Sequence, residues 1–574
     1  MGPQERPHDL SRPLEELHPN ERIKQQSRYL RGTLAQGLAD AVTGAVSDPD
    51  TQLTKFFGIY QQDDRDLREE RRRAKLEPRY QFMVRVRLPG GVCTPAQWLA
   101  LDALARSTAD GTLRLTSRQT FQFHGIAKRN LKRHIRGIVA AGLDTIAACG
   151  DVNRNVIATA NPLLSPAHAQ ASELARRIGA HLLPRTHAYG EIFLDEPAGS
   201  EAGEDEPIYG RTYLPRKFKI AIAVPPHNDV DVYAHDLGLV AILEQGLIVG
   251  YNVLVGGGMG MTHKVPATFP RLADVVGFCS AGDAVAVAEH TLGIQRDYGD
   301  RHDRARARFK YTIEDRGTDW FCAELTRRLG RALMPARPFE LDSSGDRMGW
   351  LQGADGLWHY TLFVENGRVA DYPRRKLLSG LRALATGHRG LLALTTNQNV
   401  TLAGVPGGER AAITATLQEY GIDNDSSCTS LRQHSIACVA LPTCGQAMAE
   451  SERYLPTLLD KIDEIVTACG LERQAITIRM SGCPNGCSRP YVAEIALVGK
   501  AVGKYNLYLG ASLIGDRLNA LYRENIGESQ ILDALRSVLE RYAKERSPGE
   551  AFGNFVLRAR IVRAMQHGRD FQRD

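Results

Sequence analysis

Apolar and polar residues alternate over Phe82-Met83-Val84-Arg85-Val86-Arg87-Leu88, which predicts a strand with Arg85 and Arg87 on one face, ended by Pro89-Gly90-Gly91. A helix is expected over residues 95–107. The next stretch, Leu113-Arg114-Leu115-Thr116-Ser117-Arg118-Gln119-Thr120-Phe121-Gln122-Phe123-His124-Gly125, puts Arg114, Thr116 and Arg118 on one side of any strand, and Gln122 and His124 likewise together. Basic and amide side chains gathered on one face are unusual for a core strand. They suit an anion-rich ligand.

Further basic positions follow. Arg154 stands in Asp151-Val152-Asn153-Arg154-Asn155, and residues 213–224 read as a strand with Lys217 and Lys219 on one face. Between them lies an acidic, Gly-rich stretch, residues 195–207, expected as a surface loop. The strand Leu247–Val255 runs into Gly256-Gly257-Gly258-Met259-Gly260. This is a weak dinucleotide fingerprint, because the helix and acidic residue it needs are not laid out here. Close approach of the backbone to a bulky cofactor is the expected reason for these glycines.

The second half of the chain echoes the first. Leu394-Thr395-Thr396-Asn397-Gln398 repeats Leu115-Thr116-Ser117-Arg118-Gln119, and Leu402-Ala403-Gly404 repeats Phe123-His124-Gly125, both 279 residues on. Residues 358–369 echo 81–92 at a similar distance. Two copies so far apart predict a duplicated module with pseudo-twofold symmetry, not a solenoid. The copies differ in a telling way: the first keeps Arg85, Arg114, Arg118 and Arg154, whereas the second has Asn397 in place of Arg118 and carries two cysteine pairs.

Those pairs are Cys438 and Cys444, spaced C-x5-C, and Cys483 and Cys487, spaced C-x3-C within Met480-Ser481-Gly482-Cys483-Pro484-Asn485-Gly486-Cys487-Ser488-Arg489-Pro490. Pro, Asn and Gly keep both segments out of regular structure. Four thiolates from two loops suit a cubane iron–sulfur cluster. Zinc usually takes closer pairs, and free cysteines are also often simply buried; spacing leaves all three readings open.

Composition adds limits. The 574 residues allow three or four domains, and 43% hydrophobic with 24% charged residues is ordinary for a soluble globular protein. No apolar run reaches the ~18 residues of a membrane span. The start, Met1-Gly2-Pro3-Gln4-Glu5-Arg6-Pro7, lacks the apolar core of a signal peptide. Ten cysteines are too few for a disulfide scaffold in a chain this long and fit a reducing compartment, so the cytoplasm is expected. A net charge of +6 does not argue for nucleic acid. Cys93, Cys149, Cys279, Cys322, Cys428 and Cys469 are expected only to pack.

The C-x5-C…CPNGC pattern resembles that of the siroheme- and 4Fe-4S-containing sulfite and nitrite reductases. Within that family it is most similar to the hemoprotein (beta) subunits of assimilatory NADPH-dependent sulfite reductases, over about Asn20 to the C-terminus. The resemblance implies an α+β fold: two ferredoxin-like halves in one combined domain, with two α/β lobes sandwiching the cofactors. Its division is expected as an N-terminal arm (1–75), a first half (76–150), a first siroheme-binding lobe (151–345), a second half (346–425) and a second lobe (426–574). It implies that Cys438, Cys444, Cys483 and Cys487 hold the cluster, with Cys487 also the siroheme iron ligand. Arg85, Arg154, Lys217 and Lys219 would bind sulfite, and Arg114, Arg118, Gln122, His124, Arg216 and Gln398 the siroheme.

The implied reaction is the six-electron reduction of sulfite to sulfide for cysteine biosynthesis. Siroheme nitrite reduction and ferredoxin-fed sulfite reduction are the close alternatives, and a metal-bearing nucleic-acid-binding protein is the non-enzymatic one. No NADPH or flavin fingerprint is present, so FAD, FMN and NADPH are expected on a partner, the flavoprotein (alpha) subunit. Residues 1–75 read as a solvated helix face or partly disordered arm. Through Ser27-Arg28-Tyr29-Leu30-Arg31-Gly32 and residues 60–66 the resemblance makes that arm the docking segment, and deleting residues 1–60 is expected to spare the cofactors while abolishing partner binding.

Overall fold

The computed structural model describes residues 12–197, 204–424, 428–565 and 567–572. The polar start Met1 to Pro7, the middle of the acidic stretch 195–207 and the expected boundary at 425/426 lie outside the described residues.

The strands fall in chain order into four groups of five. The first is β1 (Ile59–Asp63), β2 (Tyr80–Arg85), β3 (Val92–Cys93), β4 (Leu113–Leu115) and β5 (Phe121–Ile126). The second is β6 (Ile157–Ala158), β7 (Ile220–Ala223), β8 (Leu237–Glu244), β9 (Leu247–Val255) and β10 (Asp274–Ser280). The third is β11 (Gly349–Gln352), β12 (Trp358–Leu362), β13 (Arg368–Val369), β14 (Leu391–Leu394) and β15 (Val400–Val405). The last is β16 (Ser435–Ala437), β17 (Ile478–Ser481), β18 (Ile495–Ala501), β19 (Lys504–Leu509) and β20 (Ala520–Ile526).

Groups one and three form the two half-domain sheets, but they exchange a strand. The sheets run β1-β2-β5-β4-β13 and β11-β12-β15-β14-β3. Val369 pairs with Leu113, and Cys93 with Leu392, so each half is completed by two residues of the other. The lobe sheets run β10-β9-β8-β7-β6 and β16-β17-β18-β19-β20; in each, three parallel strands lead into antiparallel ones. Central parallel strands must be apolar on both faces, which is why β7 reads Ile-Ala-Ile-Ala and is buried throughout.

Two expected strands are shorter than the pattern suggested. Residues 113–125 break into β4 and β5 around a tight turn in which Thr116 N donates to Thr120 O at 3.0 Å and Gln119 takes φ 50°. That turn carries Arg118. Residues 213–224 yield only β7, yet the extended segment before it buries Phe218, which bridges to Asn153. Lys217 and Lys219 therefore emerge on the opposite face, as alternation requires. The helix comes out at Pro95–Thr108, started by a Thr94/Gln97 capping box with proline in its first turn.

The N-terminal segment corrects the expectation of a solvated arm. Leu30, Leu34, Leu53, Phe56, Phe57 and Ile59 are buried in the largest core, and β1 edges the first sheet by pairing Ile59 with Val84. The ionic run itself is exposed, as the helix Arg68–Arg73 with its Arg72–Glu69 and Arg73–Glu69 pairs. Exposed ion pairs of this kind contribute little.

Candidate functional site

Both cysteine loops leave the carboxyl ends of neighbouring parallel strands, β16 and β17, where Ala437 pairs with Met480. Open α/β sheets present their ligand sites at this edge. Gly482 N donates to Cys438 Sγ at 3.2 Å, and Gly482 O accepts from Met448 N and Ala449 N. A side chain at Gly482 would meet Ala440 Cβ at 2.5 Å, so only glycine lets the loops approach. Burial pushes the Cys438 thiol up to about 12 and raises Cys444 and Cys483 as well, and each of the three also responds to Cys487. Cys487 itself is exposed. Among the described residues no three His, Cys, Asp or Glu side chains are placed to hold a single metal ion. Thiolates that grip the corners of a cubane stand further apart than that.

A wall of cations faces Cys487. The charges of Arg85, Lys217 and Lys219 each couple electrostatically to Cys487. Arg154 is buried, its Nε donating to Gly150 O at 2.8 Å, and its backbone N donates to Phe218 O, between the two lysines. Burial first, and then Arg216 and Arg308, push Lys217 down to about 7. Burial and Arg118 hold Lys219 far below an ordinary lysine. Arg118 is itself pushed down to about 9 by burial and by Arg489 and Arg154; its guanidinium contacts Asn155 O at 3.1 Å and His235 Nδ1 at 3.0 Å. Among the described residues Arg216, Lys217 and Lys219 have no carboxylate within ion-pair distance. Such crowding of like charge is relieved by proton loss from the lysines or by an anion to hold.

The remaining expected residues divide. His124 is buried with both ring nitrogens unpartnered, between Arg114, Arg85 and Arg368, and stays neutral. Arg114 is already paired with Glu452 at 2.6 Å and donates to Ala437 O at 2.9 Å, while Gln122 accepts from Arg114 at 3.4 Å. Gln398 is consumed by the backbone: its amide grips Ala437 N and O, immediately before Cys438. Its counterpart Gln119 grips Ala158 in the same way.

Several site residues went unforeseen. Cys149, expected only to pack, accepts a hydrogen bond from Arg85 in the site. Arg308 pairs with buried Asp236 at 2.8 Å behind the lysines. Arg65 donates to Cys444 O and Ala447 O, so the N-terminal segment braces the cysteine loop. The Gly-rich loop lies against protein: a side chain at Gly260 would meet Asn485 O at 3.2 Å, Met261 N donates to Pro484 O, and Lys310 holds Gly258 O and Gly260 O. Gly257 and Gly260 thus let backbone approach backbone, while Gly256 and Gly258 make room for side chains. Each is a long-range pairing that no local motif announces.

Four convergent thiols, an unpaired cationic wall and an orphaned buried imidazole fit a carboxylate-rich macrocycle beside an iron–sulfur cluster, the two groups implied by the resemblance. Fold and site thus define a duplicated redox protein built to hold such groups and a small anion. Residues 74–141 and 351–420 match the nitrite/sulfite reductase ferredoxin-like half domain, and residues 174–333 the nitrite and sulphite reductase 4Fe-4S domain. The NADPH sulfite reductase hemoprotein beta-component of Chromohalobacter salexigens is 58% identical over 564 residues, covering 97% of this chain and 98% of that protein. The proteins of the same name from Methylocella silvestris (54%, covering 99% of both) and Geobacillus kaustophilus (57%, covering 96% and 97%) are similar. Among solved structures the Mycobacterium tuberculosis NirA protein shares the fold, with a TM-score of 0.77 at 24% identity over 96% of this chain and 97% of that one. The chain belongs to the nitrite and sulfite reductase family.

Proposed function

We propose that the chain is the hemoprotein component of an assimilatory NADPH-dependent sulfite reductase, reducing sulfite to sulfide with six electrons. Cys438, Cys444, Cys483 and Cys487 would hold the cluster, and Cys487 would also be the protein's ligand to the siroheme iron. Arg118, Arg216, His124, Arg114 and Gln122 would hold the carboxylates, and Gln398 fixes the Cys438 loop. When bound, the siroheme would supply an iron centre for sulfite and the cluster a store of single electrons.

The chain's own residues do the rest. Arg85 and Arg154 offer planar guanidinium donors to the oxyanion. Lys217 and Lys219, kept protonated by a bound anion, would add charge that stabilises departing oxygen. Lys217 Nζ, held near neutrality, gives up a proton more readily than an ordinary lysine. The observation that carries this reading is the convergence of Arg85, Lys217 and Lys219 on the one exposed cysteine of the four.

Electrons come from a flavoprotein (alpha) partner bearing FAD, FMN and the NADPH site. The division into two half-domains and two lobes at the boundaries stated above, and a cytoplasmic setting, belong to the same reading; among the described residues no helix is long and apolar enough to cross a membrane. Visible absorption, iron content and dye-linked turnover of sulfite and nitrite test it together. A siroheme spectrum, about five irons per chain, preference for sulfite and inertness toward NADPH alone are expected. Zinc without a chromophore, or NADPH turnover by the isolated chain, refutes it.

A further inference from the structure

The two lobes superimpose in sequence at a second spacing, 258 residues: Ile220 of β7 answers to Ile478 of β17, and Leu237 of β8 to Ile495 of β18. On that spacing Asp231 is the counterpart of Arg489. Both take left-handed backbone, at φ 49°, ψ 57° and φ 55°, ψ 51°. Both open a single 3-10 turn, Val232–Ala234 and Pro490–Val492.

These counterparts carry opposite charge and touch. Arg489 Nε donates to Asp231 Oδ2, which also accepts from Arg479 Nη1 at 2.6 Å, with all three side chains at most 5% exposed. The rest of the Arg489 guanidinium is spent on Ser117 O at 2.8 Å and Thr396 O at 3.0 Å. Ser117 and Thr396 are themselves equivalent, 279 residues apart in the two half-domain turns. One side chain thus binds both lobes and both turns. Cys487 lies two residues before it, and Ser117 Oγ donates to Cys487 O at 3.1 Å.

We propose that Asp231, in the lobe that carries no cysteine ligand, is a positioning residue for Cys487: by fixing Arg489 it holds the CPNGC loop in place against the Arg118 turn. Without Asp231, Arg479 and Arg489 are two adjacent buried cations with no other carboxylate at ion-pair distance among the described residues. Arg489 must then leave the position from which it grips Ser117 and Thr396, and the loop loses its link to both. The inference rests on Cys487 being a ligand, as proposed above.

Hydrogen exchange of the cofactor-free chain, read by mass spectrometry, tests the link directly. Asp231→Asn is expected to speed exchange over residues 483–489 and 116–119 on the order of tenfold, leaving β8, β9 and β19 unchanged; Asp231→Glu restores part of the protection. In the loaded chain Asp231→Asn lowers siroheme absorbance per chain while the cluster iron is kept. Unchanged exchange at 483–489, or a uniform rise across both lobes, overturns the proposal, because the pair is then mere adhesion between lobes. Should Asp231→Asn not fold, Arg479→Gln keeps the Asp231–Arg489 contact and must speed the same segments by less; equal acceleration everywhere again overturns it. Cys487→Ser separates the two claims: if it retains siroheme the ligand assignment fails, while the exchange result for Asp231 stands by itself.

Discussion

Asp229 is the counterpart of Cys487 in the other lobe, and its carboxyl titrates where few carboxyls do. It is buried; Oδ2 accepts from Ala160 N at 2.9 Å while Oδ1 has no partner. Burial, with help from the nearby Asp346 and Asp231 charges, lifts it from 3.8 to about 7 against the hydrogen bonds from Ala160 and Thr159. The perturbation is Asp229→Asn, a neutral side chain of the same shape. Below pH 3.8 the carboxyl is protonated in both folded and unfolded chains, so no penalty exists. As pH rises the unfolded chain ionises and the folded one does not, so stability falls until about pH 7. About three units at 1.36 kcal/mol each give roughly 4 kcal/mol by neutrality. Urea unfolding of the cofactor-free wild type and variant at pH 4, 5.5 and 7 measures this. The variant's advantage should grow with pH. An offset that stays constant with pH, or one that shrinks, refutes the reasoning.

Two further outcomes follow from the same structure. In the cofactor-free chain Lys217, with its pKa near 7, should react with a neutral acylating reagent with a midpoint near pH 7, well ahead of surface lysines at about 10; peptide mass spectrometry reads this, and a midpoint near 10 rejects the cationic wall. Deleting residues 1–60 should abolish folding rather than merely detach a partner. It removes Leu30, Leu34, Leu53, Phe56, Phe57 and Ile59 from the core, together roughly 9–18 kcal/mol of burial, comparable to a domain's whole stability of about 5–15 kcal/mol; soluble yield and a thermal melt check it, and a folded truncation rejects that packing.

The duplication was legible because strand-turn-strand patterns repeat exactly in spacing: Leu115 to Gln119 and Leu394 to Gln398 occupy the same turn, with Gln119 at φ 50° and Gln398 at φ 70°. The cysteine loops were legible because spacing and turn residues mark them. Lys217 and Lys219 were placed on one face by alternation alone, which survives whether or not a full strand forms. What local pattern cannot carry is pairing between distant segments. Nothing near Asp231 announces Arg489, nothing near Arg65 announces Cys444, and Cys149 reads like any small buried apolar residue until Arg85 is beside it. The N-terminal segment was misjudged because its apolar residues are sparse and its ionic helix, Arg68–Arg73, dominates the composition.

The exchanged strands bear on how the chain is made. During synthesis the first half-domain emerges with β4 as an open edge, since its neighbour β13 ends at Val369 and is translated only after the whole first lobe. The nascent sheet therefore waits with unpaired backbone groups, an invitation to wrong pairing. Both halves reach completion late, through contacts of high sequence separation that slow folding. A gene cut between the duplicated copies would yield two fragments, each lacking the strand that finishes its own sheet.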